Sequence, residues 1–151
     1  MPNWCEGTLK VRGTRENLLK WMQEGFDKSP EATITEDGCM IELEKPYNSM
    51  SIAGMRRCFA DLSGKEFYLR PDRHNPAVGI ILIPVSAAWY IAAEELAAIS
   101  AQYNIDFKIW AFEEGMEFNL DIEVVGGKII KDEDVKFDNY FWDCIKPEIG
   151  G

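Results

Sequence analysis

The fold class that this sequence predicts is α+β, two helices laid on one antiparallel sheet, and three observations predict it. Ala92, Leu96, Ile99 and Tyr103 recur at intervals of four, three and four, which puts them on one face of a helix. Directly beyond, Ile105, Phe107 and Ile109 recur at every second residue, as in a strand covered on one side. Phe118, Leu120, Ile122 and Val124 then alternate in the same way with Glu117, Asn119, Asp121 and Glu123.

The elements follow in order. Leu9 and Val11 alternate with Thr8, Lys10 and Arg12 in a first strand. Gly13-Thr14 turns the chain, Thr14 is placed to cap a helix, and Leu18, Leu19, Met22 and Phe26 make its apolar stripe, which ends near Gly25 to Asp27. Pro30 and Asp37-Gly38 mark a loop before a second strand, in which Cys39, Ile41 and Leu43 alternate with Met40, Glu42 and Glu44. Residues 46–76 are the least regular and read as a central insertion. Ile52, Met55, Cys58 or Phe59, and Leu62 fit one short helix, stopped by Ser63-Gly64, and Lys65 to Arg70 fit a strand. Arg70 to Pro76 is a loop, Val78 to Ile83 a buried strand, and Pro84 closes it. Gly126-Gly127 makes a two-residue hairpin turn, Lys128 to Lys131 returns, and Tyr140, Phe141, Trp142 and Ile145 give the tail a packing face. The sum is one domain over residues 1–151, a ferredoxin-like β-α-β-β-α-β sandwich with an antiparallel sheet, the central insertion, and a C-terminal β-hairpin extension over about 117–151.

Composition narrows the function classes. A chain of 151 residues, 46% hydrophobic, buries a sizeable core as one domain. Its net charge of −10 repels polyanions, so duplex DNA and anionic membranes are disfavoured and a protein partner is expected. No apolar run reaches the ~18 residues of a membrane-spanning helix, and the first residues show neither a basic region nor an apolar signal core, so the expected compartment is the cytoplasm. Cys5, Cys39, Cys58 and Cys144 are scattered and there is one histidine, so no metal or other cofactor is expected. A continuous sheet edge leaves a homodimer open.

Two stretches resemble a known family. Pro2-Asn3-Trp4-Cys5-Glu6, followed by an alternating strand, the Gly13 turn and a helix, is similar to the start of YubB-type proteins, which are carried by phages, prophages and plasmids. Ala88-Trp89, a helix, a strand into Trp110, then Glu113-Glu114-Gly115-Met116-Glu117-Phe118 and a strand to Gly126-Gly127 resemble that family's C-terminal signature. The similarity spans residues 1–27 and 84–130. It departs from the family in lacking a W-G-T-K-W-D block and in carrying Asn119 and Leu120 where relatives have a glycine. The resemblance implies a ferredoxin-like topology without a cluster, a mobile-element origin, and no reaction.

Two charged groups are candidate sites. Residues 46–86 hold Arg56, Arg57, Lys65, Arg70 and Arg73 against Asp61, Glu66 and Asp72, a local +2, with His74 beside them. This segment reads either as a grip for a phosphate, a carboxylate patch or single-stranded nucleic acid, with Phe67 and Tyr68 for stacking, or as solvated surface paired to the acidic half. The acidic set Glu113, Glu114, Glu117, Asp121, Glu123 and Asp132-Glu133-Asp134 reads either as a mimic of a phosphate backbone or as the wet side of a strand and hairpin. Catalysis has little support: Ser86 and Ser100 lack a nucleophile-elbow context, there is no phosphate-binding glycine pattern, and Asp72 with His74 is the one acid–base pair close in sequence. The expected function is therefore that of a non-enzymatic, mobile-element accessory protein that binds a host or element-encoded protein, with acidic inhibition of a nucleic-acid-handling system as one form. The alternative is a nucleic-acid or nucleotide binder that uses the Arg56 to Arg73 segment.

Overall fold

The computed structural model describes residues 1–146, so the expected tail is followed only to Lys146. In chain order the elements are β1 (Trp4–Thr14), α1 (Arg15–Glu24), β2 (Ala32–Ile34), β3 (Met40–Leu43), β4 (Tyr47–Ser51), β5 (Cys58–Leu62), β6 (Glu66–Tyr68), β7 (Arg70–Pro71), β8 (Val78–Ala88), α2 (Ala93–Tyr103), β9 (Asp106–Glu113), β10 (Phe118–Val125), β11 (Lys128–Lys136) and α3 (Tyr140–Asp143).

The alternation at Leu9 and Val11 extends in both directions. Cys5, Leu9 and Val11 are buried on one side of β1, and Trp4, Glu6 and Lys10 are exposed on the other. The Thr14 hydroxyl oxygen accepts the N–H of Asn17 at 3.2 Å, starting α1, which buries Leu18, Trp21 and Met22. α1 ends at Gly25, whose N–H donates to the Trp21 carbonyl, and glycine fits there because a Cβ would run into the Trp21 indole. β8 pairs antiparallel with the whole of β1, and β9 pairs antiparallel with its other side. β8 and β9 are therefore parallel to each other with β1 between them. α2 joins them, burying Ala93, Leu96 and Ile99, and Asn104 closes it in the left-handed region at φ 53°. Gly126 and Gly127, at φ 58° and 78°, make the tight turn from β10 to β11.

The chain does not form the expected ferredoxin-like β-α-β-β-α-β sandwich. It is mostly antiparallel β, built on an eight-stranded sheet in the order β11-β10-β9-β1-β8-β5-β4, with β7 paired to β8 and β11 and β4 at the edges. A second sheet, β2-β3-β6, lies beside α1, where the Gln23 amide donates to the Ala32 carbonyl at 2.9 Å. The region read as an insertion with a short helix supplies strands to both sheets. Ile52, Met55, Cys58 and Leu62 do have helical spacing, but Cys58, Ala60 and Leu62 also alternate. Gly54 at φ 89° and Arg57 at φ 52° turn the chain, so the alternating reading is realised against β8. Pro84 was expected to end its strand and instead lies inside β8. It stands opposite Thr8, just past the Val85 to Ala87 stretch that β5 pairs, so on that side its missing N–H breaks no ladder.

Both sheets and both long helices share one apolar core. Trp21 is fully buried within it, packed on Phe26 at 5.1 Å and on Phe107 at 5.6 Å between ring centroids. Residues 9 and 11 of β1, 81 and 83 of β8, and 107 and 109 of β9 all face this core. Among the described residues the other face of the large sheet carries no long helix.

Candidate functional site

The uncovered face is built by the even-numbered residues of β1 and those that the register sets beside them. Trp4 lies opposite Ala88 and Phe59 opposite Ser86, so the two rings meet edge-on across β8 at 6.2 Å. Further over, Trp110 lies opposite Asp121 and stands edge-on to Phe112 at 6.5 Å. Trp4 and Trp110 remain 39% and 41% exposed, large apolar surfaces that the chain leaves in water. Three pairs of charges stand on the same face, Arg12 Nη2 with Asp106 at 2.9 Å, Lys108 with Glu123 at 3.1 Å, and Lys131 with Asp121 at 2.7 Å, while Glu6 and Lys10 form no ion pair among the described residues. Each such pair contributes about 0–1 kcal/mol to stability. Their larger effect is to occupy the cations that a nucleic-acid backbone needs. A cleft of about 370 Å³ lined by Glu6, Phe59, Asp61 and Pro84 adjoins one of about 410 Å³ lined by Asp61, Glu66, Tyr68, Arg70 and Pro84, so the two share a wall and together form a groove that holds three carboxylates and one guanidinium.

α3 covers one end of this face. The Tyr140 hydroxyl donates to Asn119 Oδ1 at 2.7 Å, and Asn119 Nδ2 donates to Cys144 Sγ at 3.2 Å. Lys146 lies over the Phe112 ring at 5.6 Å and pairs with Glu114 at 2.9 Å. Asn119 is fully buried beneath this segment, whereas Phe141, Trp142 and Ile145 point outward, 74%, 83% and 87% exposed.

The structure divides the basic segment. Arg56 and Arg57 sit in the turn between β4 and β5, Arg70 is in β7, and Arg73 and His74 are in the loop before β8. Cys58 stands opposite Ala87 and Arg70 opposite Ile80, which places the two halves about 23 Å apart along β8 at the usual rise per residue. Asp72 and His74 do not make an acid–base pair. The Asp72 carboxylate accepts the backbone N–H groups of His74 at 2.8 Å and Asn75 at 3.2 Å, and those bonds hold it below the usual carboxylate range; the His74 side chain is exposed.

The acidic set is divided as well. Glu113 is 1% exposed and accepts the N–H groups of Gly115 and Met116, each at 2.9 Å, so it shapes the β9–β10 turn. Glu114 is paired with Lys146, and Glu117 is exposed at φ 60°. Asp121 and Glu123 are neutralised on the open face, and Asp134 lies on the helix side, where it accepts the Tyr90 hydroxyl at 3.3 Å. Burial, then Asp134 and Asp132, push the Tyr90 phenol up to about 12. Cys5 and Cys58 both lie opposite Ala87, one on each side, and burial pushes both thiols up to about 12, so neither is a nucleophile.

Sequence reasoning missed the pairing of Arg56 and Arg57 with Trp89 and Tyr90. These four line a cleft of about 370 Å³ where β5 and β8 end, with Met55, Cys58 and Ala88 as its apolar floor. The one available signal was that Trp89-Tyr90 follows a buried strand without belonging to the helical stripe.

Among the described residues no group of three His, Cys, Asp or Glu side chains is placed to hold a metal ion, and no helix is long and apolar enough to cross a membrane. No family model, no curated protein and no solved structure matches the chain.

Proposed function

We propose that this chain is a non-enzymatic binding protein whose open sheet face docks a protein partner. The observation that carries the reading is the exposure of Trp4 and Trp110 on a sheet face that no long helix covers among the described residues, where Arg12, Lys108 and Lys131 are each paired with a carboxylate. Aromatic side chains held on strands lose little conformational freedom when they are covered, which is why they recur as interface anchors. The chain's charge of −10, and the excess along the groove of Glu6, Asp61 and Glu66, which form no ion pair among the described residues, over the one cation Arg70, favour a partner with a basic surface. Basic surfaces of that kind belong to proteins that handle nucleic acid, so inhibition of such a system by an acidic protein is the form we favour. A cytoplasmic, mobile-element setting is part of the proposal and rests on the resemblance described above.

The test is affinity capture by the tagged chain at low and moderate salt, wild type beside Trp4→Ala/Trp110→Ala. The reading expects a stoichiometric protein that survives moderate salt and is bound at least about tenfold more weakly by the variant, the scale of an interface hot spot. Equal capture by both chains, or recovery of nucleic acid alone, would overturn it.

A further inference from the structure

The cleft at the ends of β5 and β8 lies apart from the groove on the open sheet face and has a different chemistry. Its walls are Arg56 and Arg57 on one element and Trp89 and Tyr90 on another, over buried Met55, Cys58 and Ala88. Five of the chain's 16 Lys and Arg, namely Arg12, Lys65, Lys108, Lys131 and Lys146, reach a carboxylate. Among the described residues Arg56 and Arg57 reach none, and what sets them apart from the other such cations is that both line one cleft with two aromatic rings. Trp89 and Tyr90 are 50% and 41% exposed in the same cleft.

The backbone there is held in an unfavourable form. Arg57 and Trp89 both lie in the left-handed region, at φ 52° and 70°, where a bulky side chain is an outlier. Hydrogen bonds fix both: Arg57 O accepts from Ala88 N at 3.0 Å, and Trp89 N donates to Asn3 O at 2.8 Å. Glu95 also lines the cleft, and one of its oxygens accepts the Arg56 backbone N–H at 2.7 Å. Among the described residues its second oxygen accepts no hydrogen bond, and it can accept a hydroxyl.

We propose that this cleft binds a nucleoside monophosphate, with Arg56 and Arg57 on the phosphate, Trp89 and Tyr90 against the base, and Glu95 accepting from the sugar. Two guanidiniums match a phosphate in charge and fork geometry, and an aromatic wall takes any base by its flat face. The volume lies at the small end of small-molecule sites, the size for one nucleotide and too small for a strand. A polymer is also opposed by the net charge of the chain. This inference does not depend on the open-face reading, since it shares none of that face's aromatic anchors.

The test is calorimetric titration of the full chain with AMP, GMP, CMP and UMP separately, then with adenosine and inorganic phosphate alone, while the Trp indole N–H signals are followed by NMR. At least one monophosphate is expected to bind saturably below millimolar concentration, more tightly than adenosine or phosphate, and to shift a signal that Trp89→Phe assigns. Arg56→Ala/Arg57→Ala should weaken it at least tenfold and Arg70→Ala/Arg73→Ala should not. Because position 57 has a positive φ, Arg56→Ala/Arg57→Gly repeats the test in a chain whose turn is relaxed. No saturable binding of any monophosphate, equal binding of phosphate alone, or undiminished binding by both double variants would each overturn the proposal.

Discussion

Glu113 and Glu114 are neighbours with opposite fates, and replacing each by glutamine separates them. The Glu113 carboxylate is buried and accepts two backbone N–H groups at 2.9 Å, both part of the turn that sets β10 beside β9. Glutamine keeps one acceptor oxygen and presents an NH2 to the other N–H. One charge-assisted bond of about 1.5–3 kcal/mol is lost and the remaining one falls to the strength of a neutral bond. With some relaxation of the turn, Glu113→Gln should cost about 2–3 kcal/mol. Glu114→Gln removes only its pairing with Lys146, whose two side chains are 54% and 41% exposed, and should cost about 0–1 kcal/mol. Urea unfolding reads the difference: at a slope of about 2 kcal/mol/M the Glu113 variant loses roughly 1–1.5 M of midpoint. NMR should place the largest amide shifts at Gly115 and Met116. A loss below about 0.5 kcal/mol, or equal losses for the two variants, would refute the reasoning.

Other perturbations have equally definite outcomes. At pH 8 a thiol reagent should modify exposed Cys39 in the folded chain and leave Cys5 and Cys58 untouched until unfolding; early labelling of either buried thiol would contradict their raised values. The same shifts set the alkaline behaviour. Unfolded thiols ionise near 9.0 and these two near about 12, so the folded state keeps protons that the unfolded state gives up. Their contribution is complete below pH 9 and is lost as pH rises towards 12; melting curves should show Cys58→Ala flattening that decline. Tyr140→Phe leaves Asn119 Oδ1 buried without its donor, a loss of about 1–3 kcal/mol, and hydrogen exchange should quicken around residues 118–120 and 140–144. Trp21 Nε1 is buried with no hydrogen-bond partner among the described residues, so Trp21→Phe removes an unsatisfied donor along with some volume. It should cost less than about 1.5 kcal/mol in urea unfolding, well under the ~3–5 kcal/mol of a truncation to alanine.

What the sequence reveals here is local. The Thr14 cap, the end of α1 at Gly25 and the change of period from α2 to β9 depend on neighbours a few residues apart, and all were legible. The stretch from Met50 to Leu62 was not, because its apolar residues fit two periods and the deciding term is pairing with β8, more than twenty residues on. β2 is three residues long, too short to show a period, and exists because β3 pairs with it, whereas β6 falls within the strand expected over Lys65 to Arg70. Charge patterns misled for a related reason. Nearness in sequence joined Arg56 to Arg73 and Glu113 to Glu117, whereas β8 carries the first pair apart and the turn draws Glu113 inward. The Arg57 and Trp89 cleft was illegible because its walls meet only once two distant strands have paired.

β1 comes before every other strand of the large sheet in the chain and lies in the middle of it, with both of its partners far downstream: Trp4 opposite Ala88, Thr14 opposite Val78, and Cys5 opposite Glu113. On a ribosome that strand must wait. Until residues 78–113 emerge, its two hydrogen-bonding edges and the apolar side that carries Leu9 and Val11 have nothing of the large sheet to meet. Closing loops of that length before any contact rewards them makes for slow folding, with a half-made chain that is prone to wrong strand pairings. A chain halted before β9 should therefore stay open, since the large sheet can be completed only after β9, β10 and β11 have emerged.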